Sequence, residues 1–302
     1  TVLGMKMFRT GLNDLKSEIH AALEKLDLLD DPEGVDKRDE LRGMEIVCDA
    51  MVAYAERHAR ELEKLAGQES DPKRRTELLQ MAQVCRRVPA NAPQTVQEAL
   101  QHYWFIHLGV VTELNPWDSF NPGRLDQSLY PLYKKQIEEG SVTKEEVYEL
   151  LESFWVKFNN HPSPPKVGVT AEESNTYTDF SLINLGGVKA DGSDGVNEVS
   201  YMLLDVIREM RILQPSSMIQ VSKKNPDRFI REAVEIIKTG FGQPSVFNTD
   251  ALVQEMLRAG KSITDARNGG CSGCVETGAF GTEAYILTGY FNLPKIVELT
   301  LN

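Results

Sequence analysis

The apolar positions of the first 87 residues recur at the three-to-four-residue spacing of amphipathic helices. The spacing is clearest at Leu12, Leu15, Ile19 and Leu23. Asp71 followed by Pro72 is a typical start signal for a helix. The predicted helices cover 10–29, 36–66 and 73–87. We therefore predict that residues 1–87 form a helical segment whose outer faces are solvated.

After residue 87 the pattern changes, because short apolar or β-branched runs alternate with helical ones. The predicted helices are 94–109, 124–139, 143–158, 196–212, 226–239 and 250–259. The predicted strands are 166–170, 181–185, 217–222 and 245–247. Such alternation indicates an α/β architecture with parallel strands, and in α/β barrels the chemistry lies on loops at one strand end. We assign residues 88–302 to the strands and helices of such a barrel.

Composition narrows the classes of function. The chain of 302 residues has a net charge of −12, which disfavours nucleic acid as a partner because phosphate contacts need clustered Lys and Arg. No apolar run approaches the ~20 residues of a membrane span, and the first residues lack a signal-peptide pattern. Four cysteines in a chain of this length do not make a disulfide framework. A reducing, cytoplasmic location is therefore predicted.

The segment 269–278, GGCSGCVETG, is the most chemically suggestive part of the chain. Its four glycines tolerate backbone angles that other residues cannot adopt, so we predict a tight, exposed turn that presents its neighbours. The segment holds two cysteines, Cys271 and Cys274, and one carboxylate, Glu276.

Four interpretations of this segment are open from the residues alone. A redox dithiol would need a helix starting after the first cysteine. Half of a zinc site would need a second pair, but Cys48 and Cys85 are not spaced as one, so no metal is expected. A glycine-rich turn could also carry the cysteines and the carboxylate incidentally.

The fourth interpretation pairs Cys274 with Glu276. Side chains two residues apart on an extended segment point to the same side, so a thiol and a carboxylate would face one cavity. If an apolar barrel buries Glu276, it can serve as a general acid or base.

Three separated motifs resemble those of the glycyl radical enzymes. The segment 268–276, NGGCSGCVE, is similar to the thiyl-radical loop of that family. The segment 87–104, RVPANAPQTVQEALQHYW, resembles its aromatic helix, and 121–127, NPGRLDQ, resembles one of its loops. The resemblance implies that the chain is part of a ten-stranded α/β barrel surrounded by helices, with the Cys loop at the barrel centre.

Within the family, three stretches are most similar to arylacetate decarboxylases: 113–123, 158–168 and 174–180. Members that dehydrate diols or hydroxyproline generally have Pro after Val-Glu, whereas this chain has Thr277. We therefore expect radical decarboxylation of an arylacetate, above all 4-hydroxyphenylacetate to p-cresol. The alternative is a glycyl radical dehydratase or C–C or C–N lyase acting on a small polyol or amino-acid derivative. A non-catalytic fragment is a second alternative.

The resemblance also implies roles for individual residues. Cys274 matches the residue that becomes a thiyl radical, and Glu276 matches the neighbouring proton relay. Ser119 matches a residue that binds the substrate carboxylate, and Phe180 one that packs on the substrate ring. Cys271 matches no assigned role.

The cofactor and partners follow from the resemblance alone. The cofactor would be a glycyl radical stored on a glycine in an Arg-Val-x-Gly-Tyr/Phe motif, which does not occur within these 302 residues. We therefore expect a middle piece of a longer enzyme that is inactive by itself. The partners would be a small aromatic carboxylate, a radical-SAM activating enzyme, a second copy in a homodimer, and in some decarboxylases a small iron–sulfur subunit.

Overall fold

The structure, a computed structural model, describes residues 3–113, 120–160, 181–272, 276–283 and 292–301. Its first half is helical and begins with a 3-10 helix, Gly4–Phe8. The helices that follow are α1 (Leu12–Leu23), α2 (Gly34–Gln68), α3 (Pro72–Arg87), α4 (Val96–Glu113), α5 (Leu125–Glu139) and α6 (Lys144–Asn159).

The second half alternates strands with helices. The elements are β1 (Leu182–Gly186), α7 (Glu198–Met210), β2 (Ser216–Val221), α8 (Asp227–Lys238), β3 (Ser245–Asn248), α9 (Thr249–Arg258), α10 (Ile263–Arg267), β4 (Gly270–Ser272), β5 (Glu276–Gly278) and α11 (Leu293–Leu301).

The predicted helices and three of the predicted strands are confirmed, with differences at their ends. Helix α1 ends at Leu23 rather than at residue 29, because the Asp27 carboxylate accepts hydrogen bonds from the backbone N–H groups of Leu29 and Asp30. Such local bonds compete with helix continuation. The predicted strand at 166–170 lies outside the described residues. The boundary at residue 87 stays a prediction.

Helix starts follow the capping residues in the sequence. The Asp71 carboxylate accepts a hydrogen bond from the N–H of Lys73, and Pro72 occupies the first helical turn of α3. Thr143 and Glu146 form a reciprocal capping box at the start of α6. Each cap satisfies backbone donors that the helix leaves unpaired.

The main sheet is parallel, in the order β1-β2-β3. Asn184 of β1 lies opposite Met218 of β2, and Ile219 lies opposite Val246 of β3. A parallel bridge between Arg124 and Asn184 extends the sheet beyond β1. Helices α7 and α8 connect these strands, which is the βαβ arrangement of an α/β fold.

The two faces of this sheet have different neighbours. Ile183, Leu185 and Ile219 belong to the main hydrophobic core. The intervening residues point the opposite way, since successive side chains in a strand alternate between faces. Leu182 and Met218, on that second face, pack with Cys271 in a separate apolar cluster. The Cys segment therefore packs on the face opposite the main core.

The predicted exposed turn is in part a buried hairpin. Strands β4 and β5 pair antiparallel, with Cys271 opposite Thr277 and Ser272 opposite Glu276. All three residues of β4 are buried. The difference arises because the glycines allow close packing as well as turning. A Cβ atom on Gly270 would lie 2.4 Å from Asn184 Oδ1 and 2.5 Å from Gln220 Nε2, so only glycine permits this approach.

We predict that Gly270→Ala destabilises the full-length protein and loosens the hairpin, because the added methyl group has no space. Overpacking of this kind costs about 1–3 kcal/mol. The measurements are the free energy of unfolding and amide hydrogen exchange over 269–278.

Gly67→Ala is the matched control, because a Cβ atom on this exposed helical glycine meets nothing within 4 Å. It should leave the hairpin unchanged and stabilise the protein by up to ~1 kcal/mol. Equal unfolding free energies and equal exchange in both variants would contradict the packing argument.

Candidate active site

The hairpin brackets the candidate thiyl residue. Ser272 in β4 pairs with Glu276 in β5, so Cys274 belongs to the three-residue connection 273–275. That connection lies outside the described residues. The structure describes how the two strands that flank this connection are held.

The carboxamide of Asn184, fully buried in β1, holds β4 through both main-chain groups of Cys271. Its Nδ2 donates to the carbonyl oxygen of Cys271 at 2.9 Å, and its Oδ1 accepts from the N–H of Cys271 at 3.1 Å. Nδ2 also donates to the carbonyl of Leu182, and Oδ1 accepts from Gln220 Nε2. An amide offers two donors and two acceptor positions, and all are used here.

A second buried amide, Gln220 of β2, supports the first. Its Nε2 donates to Asn184 Oδ1 at 3.2 Å and to the carbonyl of Gly269 at 3.1 Å. The hydroxyl of Thr249 donates to its Oε1 at 3.4 Å. The hairpin is thereby tied to β1, to β2 and to the start of α9.

A third buried amide, Asn121, joins three segments that flank the candidate residues. Its Oδ1 accepts from the N–H of Leu182, and its Nδ2 donates to Ser272 Oγ. The carbonyl of Phe120 next to it accepts from the hydroxyls of Tyr103 and Ser181, at 2.8 and 2.9 Å. The structure thus brings together the chain neighbours of Ser119, Phe180 and Cys274.

The four predicted site residues are described unequally. Ser119, Phe180 and Cys274 lie outside the described residues. Glu276 begins β5, and its side chain is exposed rather than buried as expected. The described part of the chain therefore does not supply the apolar enclosure that we expected for this carboxylate.

Cys271 is part of the packed interior. It is fully buried against Leu182 and Met218. Burial raises the pKa of its thiol to about 12, and the negative charge of Glu276 contributes in the same direction. The thiolate is the reactive form of cysteine, so this environment disfavours the redox-dithiol interpretation.

Arg124 and Asp126 hold the segment that leads into the hairpin. The buried guanidinium of Arg124 donates to the carbonyl oxygens of Gly186, Val188 and Arg267. The Asp126 carboxylate accepts from the N–H of Gly186 at 2.8 Å. These hydrogen bonds therefore join the carboxyl end of β1 to the end of α10.

Burial dominates the titration of these two groups. It lowers the pKa of Arg124 to about 10, although Asp126 opposes the shift. It raises the pKa of Asp126 to about 6, although a hydrogen bond from Ser200 and the charge of Arg124 oppose that shift. At neutral pH both groups are charged, which fits the donors and acceptors around them.

Two features are absent from the part of the chain that the structure describes. Within it, no group of three or more His, Cys, Asp or Glu side chains is arranged to hold a metal ion. No helix among the same residues is long and apolar enough to cross a membrane.

The sequence analysis missed Asn121, Asn184 and Gln220 as functional candidates. The signal for two of them was present, since an amide interrupts the apolar runs LINLG and SSMIQV of β1 and β2. A buried amide on a strand needs partners, which indicates a polar contact on that face.

Comparison with known proteins identifies the family. The family model described as pyruvate formate lyase-like matches residues 2–302. Trans-4-hydroxy-L-proline dehydratase of Clostridioides difficile is 54% identical over 302 residues, which are 100% of this chain and 38% of that protein. Its crystal structure with the substrate bound has a TM-score of 0.94 over 100% of this chain and 38% of that one. The α/β barrel assignment is confirmed, and the chain is a part of that barrel.

The expected arylacetate decarboxylase activity is wrong. Indoleacetate decarboxylase of Tractidigestivibacter scatoligenes is only 32% identical, over 86% of this chain and 30% of that protein. The greater similarity to a dehydratase overturns decarboxylation and the aromatic substrate. Thr277, one of the features behind that expectation, is an exposed residue of β5 that lies opposite Cys271.

The chain spans 38% of the length of the hydroxyproline dehydratase and 30% of that of the indoleacetate decarboxylase, and the family model matches it from residue 2 to residue 302. It belongs to the pyruvate formate lyase-like family of glycyl radical enzymes, which use a radical carried by a glycine of the protein itself.

Proposed function

We propose that the enzyme containing this chain is a glycyl radical dehydratase that removes water from trans-4-hydroxy-L-proline. The observation that carries the proposal is the 54% identity over the whole chain to a dehydratase of that substrate. The TM-score of 0.94 to its substrate-bound structure supports the same assignment. The amino-acid derivative named as an alternative in the sequence analysis is thereby favoured over the arylacetate.

In this proposal Cys274 exchanges hydrogen atoms with the substrate. A glycyl radical on a glycine outside this chain would supply the unpaired electron. The sulfur of Cys274 then takes a hydrogen atom from the ring carbon between the nitrogen and the hydroxyl-bearing carbon, so an S–H bond forms and a C–H bond breaks.

Glu276 transfers a proton in the same reaction. The Glu276 carboxylate takes a proton from the ring ammonium nitrogen and gives it to the departing hydroxide as the neighbouring C–O bond breaks, forming water. Glu276 is thereby returned to its carboxylate form. The S–H bond of Cys274 returns its hydrogen atom to the carbon that lost the hydroxyl group. The net change is the loss of one water, which leaves a pyrroline carboxylate.

Ser119 and Phe180 keep roles that suit the new substrate. The Ser119 hydroxyl is proposed to bind the carboxylate of hydroxyproline, and Phe180 to pack on its five-membered ring. Ser119 and Phe180 are adjacent in sequence to Phe120 and Ser181, and the Ser181 hydroxyl donates a hydrogen bond to the Phe120 carbonyl. Members of this family are normally activated by a radical-SAM enzyme, and we propose such a partner here. The homodimer and the small iron–sulfur subunit stay predictions.

The full-length protein, activated anaerobically, is predicted to convert trans-4-hydroxy-L-proline to a product lighter by one water. Mass spectrometry would follow this substrate beside glycerol, 4-hydroxyphenylacetate and indoleacetate. We expect kcat/KM for hydroxyproline to exceed that for glycerol by at least ~10²-fold, because buried polar groups reject ligands that leave them unpaired. Consumption of glycerol alone, or release of carbon dioxide from either arylacetate, would overturn the proposal.

Two substitutions test the assigned chemistry. Cys274→Ser should abolish turnover, because an O–H bond does not replace the S–H bond as a reversible hydrogen donor. Glu276→Gln should lower kcat by ~10²–10⁴-fold, the usual contribution of a general acid. Turnover by Cys274→Ser and kcat of Glu276→Gln are measured on activated enzyme whose glycyl radical content has been determined. Wild-type rates in either variant would remove that residue from the mechanism.

The two cysteines of the hairpin are predicted to differ in reactivity. With its pKa raised to about 12, Cys271 is thiolate in only ~10⁻⁴ of molecules at pH 8, and it gains thiolate as the pH rises toward that value. Iodoacetamide followed by peptide mass spectrometry should label Cys274 first. Cys271→Ala should keep turnover within about threefold, because the thiol serves only in packing. Rapid labelling of Cys271, or loss of turnover in Cys271→Ala, would restore the dithiol interpretation.

A further inference from the structure

The contacts of Asn184 are more specific than the packing of β1 requires. Its neighbours on the same sheet face include Leu182 and Met218, which pack against Cys271 through apolar contacts alone. An apolar side chain at position 184 could extend this cluster without the cost of burying an amide. The amide instead binds the N–H and the carbonyl of one residue in β4.

These two bonds define where β4 lies on the sheet. The carboxamide of Asn184 donates one hydrogen bond and accepts another, and both partners are main-chain groups of Cys271. A shift of β4 by one residue would therefore break both hydrogen bonds. The absence of a side chain on Gly270 lets the strand come this close, because a Cβ atom there would lie 2.4 Å from Asn184 Oδ1. Gln220 fixes the orientation of the Asn184 amide through its Oδ1.

We infer that Asn184 is a positioning residue for the hydrogen-atom transfer proposed for Cys274, because it fixes the register of β4, the strand that precedes Cys274 in the chain. The inference rests on the proposed role of Cys274. Reaction within a bound complex depends steeply on the separation of the reacting atoms, and a misplacement of about 1 Å can reduce the rate ~10²-fold. Asn184 touches neither substrate nor sulfur in this scheme and acts only through the hairpin.

Asn184→Asp is the sharpest test, because it keeps the size of the side chain and removes both N–H donors. The carboxylate would then face the carbonyl oxygens of Leu182 and Cys271. In the activated full-length enzyme we expect kcat to fall ~10²-fold, with KM and the glycyl radical content measured by EPR changing less than about threefold.

Two further readouts separate positioning from general destabilisation. The primary deuterium isotope effect on kcat/KM should rise above the wild-type value, because hydrogen transfer becomes slower than the other steps. The ratio of variant to wild-type kcat should rise as the pH falls, since protonation of the introduced carboxylate restores one donor at this position.

Asn225→Ala is the matched control. Asn225 is also a buried amide, and its Nδ2 donates at 2.7 Å to the carbonyl of Gly187 and to Asp194 Oδ1, neither of which belongs to the hairpin. It should lower the melting temperature at least as much as Asn184→Asp and leave kcat and the isotope effect at wild-type values. Equal kinetic effects in the two variants would overturn the inference.

The kinetics of Asn184→Asp, Asn225→Ala and the wild-type enzyme are compared with whichever substrate of the panel the wild-type enzyme consumes. Failure with hydroxyproline therefore overturns the proposed function without deciding the role of Asn184. If Asn184→Asp accumulates no radical, Gln220→Met replaces it, because it removes the donors to Asn184 Oδ1 and Gly269 while keeping a long side chain. We expect about a tenfold fall in kcat, and a wild-type kcat and isotope effect in that variant would overturn the inference.

Discussion

The hairpin formed by β4 and β5 cannot pair all of its own backbone N–H and C=O groups. The arrangement of the site follows from this constraint. In an antiparallel pair, alternate residues direct both main-chain polar groups away from the partner strand. Cys271 directs its N–H and carbonyl to the Asn184 side chain instead of to β5, although it lies opposite Thr277. Each such buried group left unpaired would cost about 1–3 kcal/mol, so the supporting sheet must provide a donor and an acceptor at this position.

Strands β1 and β2 can provide this donor and acceptor because their two faces pack against different neighbours. Ile183, Leu185 and Ile219 contribute to the large core, while Asn184 and Gln220 lie on the opposite face. Since side chains alternate in a strand, a change of one residue in the register of β1 would exchange the apolar set with the amides. The hydrophobic core therefore enforces the register that presents the amides, and Arg124 and Asp126 fix the ends of the same region.

Much of the fold was predictable from the sequence, whereas the site was predictable only in part. Helical periodicity and capping residues such as Asp71 and Thr143 are local signals, and the elements they indicate are present. The buried hairpin was not predictable from its glycines, because the same residues suit an exposed turn and a close approach; only the 2.4 Å distance to Asn184 distinguishes them. Glu276 was expected to be buried, but its side chain is exposed at the start of β5. The substrate class was wrong because it was inferred from short stretches and from Thr277, whereas similarity over the whole chain favours a dehydratase.

Cys271 and Cys274 are three residues apart in the chain, and we assign them different roles: packing for Cys271 and hydrogen-atom transfer for Cys274. Cys271 lies on β4, where the sheet below excludes water and raises the pKa of the thiol. A sulfur held there cannot meet a substrate, because Leu182 and Met218 occupy the space around it. Cys274 follows the last paired residue of β4, Ser272, which Asn121 holds in place. The buried strand is thus the anchor of the short connection 273–275, to which the proposed thiyl residue Cys274 belongs.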